Sequence, residues 1–164
     1  MAGQGTGRTV YVVRSKATVG KEKKMTGTSK IVLIRGLPGS GKSTMARTAI
    51  NVLFAGEING EKLVHIEADD YFMLDGVYCF DMAKIRDAHK WTKWRAAKLI
   101  ENGRIPIVAN TFSRIWEMQS YIDMADKHLV FKTTKEFKNI HGVGDEVIER
   151  MRERWEDYEG EEVL

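Results

Sequence analysis

The run Gly36-Leu37-Pro38-Gly39-Ser40-Gly41-Lys42-Ser43-Thr44 constrains this chain more than any other feature. It follows the apolar stretch "KIVLIR" directly and opens a helical pattern, and it satisfies G-x-x-x-x-G-K-[ST] in full. Glycines at 36, 39 and 41 give the backbone conformations in which successive N–H groups turn inward around an anion. The helix that follows adds its positive end. Residues 36–44 are therefore expected to cradle the phosphates of ATP. Lys42 supplies a charge to the β- and γ-phosphates, and the Ser43 hydroxyl is placed to ligate Mg²⁺.

The rest of the chain alternates between strand and helix patterns. "KIVLIR", "KLVHIE", "IPIVAN" and "HLVFKT" read as strands, the second set off by the Asn59-Gly60 turn signal. Helices are expected from Lys42 to about Phe54, over residues 81–102, from Ser113 to about Lys127, and after a cap at Asp145. In the second, Ile85, Ala88, Thr92, Ala96 and Leu99 share one face; in the third, Ile115, Met118, Ile122 and Ala125 do. The terminal "EDYEGEEVL" reads as a fraying acidic helix end. Continuous apolar strands between helices predict a short, mostly parallel sheet flanked by helices in three layers. Ligands bind such sheets beyond the carboxyl ends of the strands.

A phosphate cradle alone does not say where the phosphate goes. A GTPase would carry N-K-x-D, which is absent, and a mechanical ATPase would usually end its third strand with an acid where this chain has Ala109-Asn110. "HIEADDYF" instead sets Asp69 and Asp70 just past the second strand. A kinase needs a carboxylate there to orient a hydroxyl and take its proton, and one within water-bridged reach of Mg²⁺ also helps hold the metal. One of the pair, Asp69 or Asp70, is expected in these roles while the other caps the following turn. Arg114, at the start of the helix after the third strand, is the first choice for an acceptor phosphate or other anion. Tyr71, Phe72, Tyr78 and Phe80 surround the Asp75-Gly76 turn, as core packing or as a stacking wall.

The ordered blocks "GLPGSGKST", "ADDYF", "DGVYCFD" leading into "AHKW", "IVANT", "WEM" and "KNIHGVGDEVIERMRERWE" resemble the phage-type polynucleotide 5′-hydroxyl kinases and their small stand-alone AAA-like relatives. The likeness spans residues 30–156. It implies a P-loop NTPase fold of the kinase type, an ATP and Mg²⁺ requirement, and the general-base role for Asp69. In that family a lid offers arginines to the migrating phosphoryl group. The corresponding loop here, "KEFKNIHGVG", offers Lys135, Lys138 and His141, with Lys138 as the catalytic candidate. Phe72 stands where an arginine holds the acceptor phosphate in the family, and Ala109 where an acid is common. The expected function is thus ATP-dependent phosphoryl transfer to a hydroxyl on a polynucleotide 5′ end or a nucleotide-like substrate. Two alternatives stay open: a small-molecule kinase for a nucleoside, sugar or amino-sugar nucleotide, or an ATP-binding module with little turnover.

Charge and composition narrow the setting. Residues 1–29 read as a flexible basic arm and 30–164 as one kinase domain. Net charge is +6 over residues 1–30 and −3 over the remainder, so basicity belongs mostly to the arm. The single cysteine, Cys79, excludes an intrachain disulfide and a cysteine-based zinc cluster, and it fits a reducing, cytoplasmic setting. No apolar run approaches the roughly 20 residues of a membrane span.

Overall fold

A computed structural model describes residues 28–53, 57–58, 61–135 and 142–164. The apolar run after Lys30 forms β1 (Lys30–Arg35), and its neighbours on both sides run parallel to it: β6 (Ile105–Ala109) and β7 (Lys127–Lys132). β3 (Glu61–Ile66) pairs parallel with β6, and β8 (Glu162–Val163) pairs parallel with β7. β2 (Glu57–Ile58) is antiparallel to β3 at the edge. The sheet order is β2-β3-β6-β1-β7-β8, five of its six strands parallel. A separate two-stranded hairpin, β4 (Met73–Leu74) and β5 (Val77–Tyr78), turns at Asp75-Gly76.

Alternation along β1 sends its side chains into two cores, as a strand buried on both faces requires. Ile31 and Leu33 join Ile66, Val108 and Val130 under Ala96 and Ile100 of α2 (Ile85–Glu101) and Met118 and Tyr121 of α3 (Ile115–Ile122). Ile34 joins Leu63, Ile105, Ile107 and Ala109 against Ala46 of α1 (Lys42–Thr48). Helices thus cover both faces of the sheet: the expected three-layer P-loop NTPase arrangement. Among the described residues no helix is long and apolar enough to cross a membrane.

Several boundaries differ from the sequence-based expectation for physical reasons. The first helix keeps α geometry only to Thr48 and widens into a π-helical turn over Ala49–Leu53. The helix expected from residue 81 begins as a 3₁₀ turn at Met82–Lys84, because the Asp81 carboxylate accepts from Ala83 N and fixes a tight entry. Ile115–Ile122 is shorter than the 113–127 span expected; at its start Ser113 and the Ile115 N–H are drawn into contacts with Arg154 and Glu156 near the chain end. Gly144, not Asp145, is the N-cap of α4 (Asp145–Glu153). Asn59-Gly60, Lys138, His141 and the arm up to residue 27 lie outside the described residues.

The largest correction is at the C-terminal end, where the expected fraying helix is instead a strap that ends as β8. Its anchor is Arg35, fully buried at the end of the central strand. Arg35 donates from Nε to Phe112 O (3.0 Å), from one terminal nitrogen to Glu161 Oε2 (3.0 Å) and from the other to Glu156 O (2.7 Å). Its guanidinium lies 4.2 Å from the Trp155 ring centroid, with Lys132 5.3 Å from the same ring. A buried cation is tolerated when its donors are used up in this way. Removing the carboxylate by Glu161→Ala should cost about 3 kcal/mol. The expected outcome is a urea unfolding midpoint lower by about 1.5 M, with Glu161→Gln losing less.

Candidate active site

The strand ends on one rim of the sheet carry Gly36 after β1, Glu67 after β3, Asn110 after β6 and Thr133 after β7. This is the carboxyl-end edge where the chain leaves β1 for α1, with its two neighbours in the sheet reached by crossovers. Gly39 (φ 80°) and Gly41 (φ 87°) occupy the left-handed region that aligns successive N–H groups around a concave centre. Gly36 is required for a different reason. A Cβ there would overlap Ser40 Oγ and Thr133 Oγ1 and come within 2.8 Å of Thr133 O. Those two hydroxyls are hydrogen-bonded to each other at 2.7 Å, and Thr133 N and Oγ1 both donate to Arg35 O (2.9 and 3.2 Å). The cradle is therefore pinned to β7 from below.

Lys42 donates to Leu37 O at 2.9 Å, which holds its ammonium across the loop. Burial lowers its pKa to about 8, against the pull of Glu67 and Asp69, whose carboxylates both favour the charged form. Ser43 donates its hydroxyl to Glu67 Oε2 at 2.6 Å. The His65 Nε2 stands 3.8 Å from the same carboxylate oxygen, and burial pushes that imidazole below its usual range. Ser43 and Glu67 form a compact pair of hard oxygen donors, the chemistry that suits Mg²⁺ alongside phosphate oxygens and water. Among the described residues no group of three His, Cys, Asp or Glu side chains is arranged to hold a metal by protein ligands alone.

The aspartate pair sits on a 3₁₀ turn, Ala68–Phe72, and its members have separate tasks. Asp70 accepts from Glu67 N at 3.0 Å and so closes the turn at its start. Asn110 Oδ1 accepts from Ala68 N at 3.0 Å, tying the turn to the end of β6. The buried Asn110 Nδ2 has no hydrogen-bond partner among the described residues, so a donor remains beside the rim. Asp69 accepts from the Tyr78 hydroxyl at 2.9 Å, and partial desolvation together with that carboxylate drives the Tyr78 phenol well above its usual pKa. Phe72 is buried with Ala68 and Ala88. Tyr78 and Phe80 are exposed, with ring centroids 6.4 Å apart and planes 19° from parallel.

Lys42, Ser43 and Asp69 are thus brought to one place, while Arg114 is exposed at the entry to α3, where its N–H donates to Glu117 Oε2 at 3.2 Å. Glu67 was not singled out from the sequence. The signal was present, since it is the first polar residue after the buried end of β3 in the same "HIEADDYF" block. On the other side of α1, Ser40, Thr44, Thr48, Thr133, Lys135 and Leu164 line a small cleft that continues from the cradle.

Residues 31–138 match the family described as AAA domain. NEDD4-binding protein 2 from Homo sapiens is 38% identical over 142 residues, covering 78% of this chain; the chain spans 8% of that relative's length. Chaetomium thermophilum Kti12, solved in complex with ADP-AlF3, aligns with a TM-score of 0.60 at 13% identity, over 82% of this chain and 88% of that one. A chain of the Pnkp1/Rnl/Hen1 RNA repair complex aligns with a TM-score of 0.53 at 19% identity, over 80% and 41%. At these identities the two structures establish a shared fold.

The ionisation of Lys42 makes a direct prediction for metal-free nucleotide binding. A phosphate favours the ammonium, so affinity is flat below the free protein's pKa and declines as pH rises through it. Titrating fluorescent ADP in chelator-treated buffer should give a constant Kd between pH 6.5 and about 7.5. Above about 8 the Kd should rise by up to about tenfold per pH unit. Lys42→Met should remove both the tight binding and its pH dependence.

Proposed function

We propose that the chain, which belongs to the AAA domain family, is an ATP-dependent kinase that moves the γ-phosphoryl group to a hydroxyl on a polynucleotide 5′ end or a nucleotide-like substrate. The observation that carries this reading is the Asp69 carboxylate, held by Tyr78 on the rim beside the phosphate cradle and near enough to Lys42 to influence its charge. The acceptor oxygen attacks the γ-phosphorus while the bond to the β,γ-bridging oxygen breaks. The hydroxyl proton passes to Asp69, and ADP leaves with the bonding electrons on its terminal phosphate.

Each residue has a stated part. The amides of Gly36 to Thr44 hold the β-phosphate, and Lys42 neutralises charge that grows on the leaving oxygen. Ser43 and Glu67, paired through their side chains, would hold Mg²⁺, with the Asp69 carboxylate as the further acid assigned to the ion. The ion would supply neutralisation of the charge on the phosphates. The cleft of Ser40, Thr44, Thr48, Lys135 and Leu164 supports placement of the adenine on the side of α1 away from Asp69. Arg114 is assigned to an anionic part of the acceptor, and Lys138 to the lid over the transferring group.

One observation favours the small-molecule alternative. Phe72, at the position where the resemblance implies an acceptor-binding arginine, is buried in the packing beneath the turn. An acceptor screen with labelled γ-phosphate decides between the two. For either acceptor, Asp69→Asn should lower kcat by about 10²–10⁴-fold with ATP affinity nearly unchanged. Full activity in that variant removes Asp69 from the reaction.

A further inference from the structure

A carboxylate that takes a proton from an alcohol must first accept a hydrogen bond from it. In this protein Asp69 already accepts one from a hydroxyl of its own chain. Tyr78, on the second strand of the hairpin, donates from its phenol to Asp69 Oδ1 at 2.9 Å, within the range that proton transfer to a general base requires.

The contacts around Tyr78 hold it in that place. Met73 pairs with it across the hairpin, and Cys79 N donates to Phe72 O at 2.8 Å, which fastens the returning strand to the turn that carries Asp69. Its ring packs against Phe72 and Phe80, with centroids 6.3 and 6.4 Å away. Desolvation, then the bond to Asp69, raises the pKa of the phenol, so it keeps its proton and stands as a neutral hydroxyl. Glu67 acts on the same phenol and accepts from Ser43 at 2.6 Å, while Asp69 acts on Lys42. The hydroxyl therefore belongs to the same cluster as the groups assigned to the phosphates. Tyr78 is still 37% exposed, and a hairpin with two-residue strands has little stability of its own, so a small approach to the cradle costs little. The other described tyrosines are engaged elsewhere: Tyr71 lies edge-on to Phe72 and Trp91, Tyr121 is buried in the core, and Tyr158 shares a hydrogen bond with His128.

Resting on the kinase reading, we propose that Tyr78 is itself a phosphoryl acceptor, and that the chain phosphorylates it in cis from the ATP held in its own cradle. Tyr78 Oη attacks the γ-phosphorus, and the bond from that phosphorus to the β,γ-bridging oxygen breaks. The phenolic proton passes to Asp69, and ADP departs with the bonding electrons. The product carries about two negative charges next to Asp69 and Glu67, and residue 78 then has no hydroxyl left to donate. Transfer therefore stops at a single group on each chain.

The test uses the full chain, dephosphorylated, repurified and incubated with ATP and magnesium chloride, and follows it by intact mass and peptide mapping. The expected result is a single phosphoryl group, on Tyr78, gained with a half-time that dilution of the protein does not change. Asp69→Asn should slow the labelling by about 10²–10⁴-fold. Tyr78→Phe should abolish it, and Tyr158→Phe should label like the parent protein. Fluorescent ATP binding, measured on every variant, separates lost transfer from lost folding. The parent protein is also offered added hydroxyl acceptors with labelled γ-phosphate. Label that reaches an added acceptor while Tyr78 stays unmodified overturns self-phosphorylation and leaves the kinase reading standing. Label on a different residue, or a half-time that shortens as protein concentration rises, overturns the proposal as well. A protein that binds ATP yet labels neither itself nor any acceptor overturns both readings together.

Discussion

The guanidinium of Arg35 is the point on which the site's geometry rests. It sits at the end of the central strand, one residue before the cradle, with no solvent exposure. A charge in that position is costly, and its cost is offset only because four groups converge on it: two carbonyls, the Glu161 carboxylate and the face of Trp155. Those partners come from the loop after β6 and from the strap after α4. Satisfying one cation therefore fixes how two distant parts of the chain approach the start of the loop. Glu156 continues the link, since its carboxylate accepts from Ile115 N at 2.8 Å and so anchors the entry to α3.

The same economy governs the rim. Gly36 leaves β1 so close to Thr133 that a side chain has no room, and the Ser40–Thr133 hydroxyl pair fills the space. On the opposite side, Asp70 and Asn110 spend their hydrogen bonds on the backbone of Glu67 and Ala68. That leaves Glu67 facing Ser43 and Asp69 facing the hairpin, two carboxylates two residues apart with different neighbours. Under the proposed kinase reading such preorganisation matters more than covalent chemistry by the protein. Here it derives from hydrogen bonds that the rim residues make among themselves.

Much of this was legible in the sequence, for identifiable reasons. The four interior strands are long apolar runs, and the cradle is a local backbone motif, so both are written in consecutive residues. β8 was not legible: Glu161 and Glu162 look like solvated acids until Arg35, 126 residues earlier, is known to need a partner. Glu67 was hidden by the two aspartates behind it, and only the side-chain pairing with Ser43 distinguishes its task from theirs. β4 and β5, at two residues each, fall below any periodic signal. α1 looked longer than it is because the apolar spacing continues through its π-helical turn.

The burial of Phe72 bears on where an acceptor is met. The turn that exposes Asp69 directs residue 72 inward, onto Ala68 and Ala88, where its ring also packs 5.0 Å from Phe80 by centroid distance. An arginine in that place would exchange a well-packed ring for a charge inside an apolar cluster, a change opposed both by lost packing and by desolvation. Phe72 instead serves as the support on which the exposed hairpin aromatics rest. The residue of α2 that packs on Phe72 is Ala88, from the buried stripe of that helix, so the contact is apolar on both sides. The position of Asp69 thus rests on an apolar contact beneath its turn, with the Tyr78 hydroxyl holding the carboxylate from the hairpin.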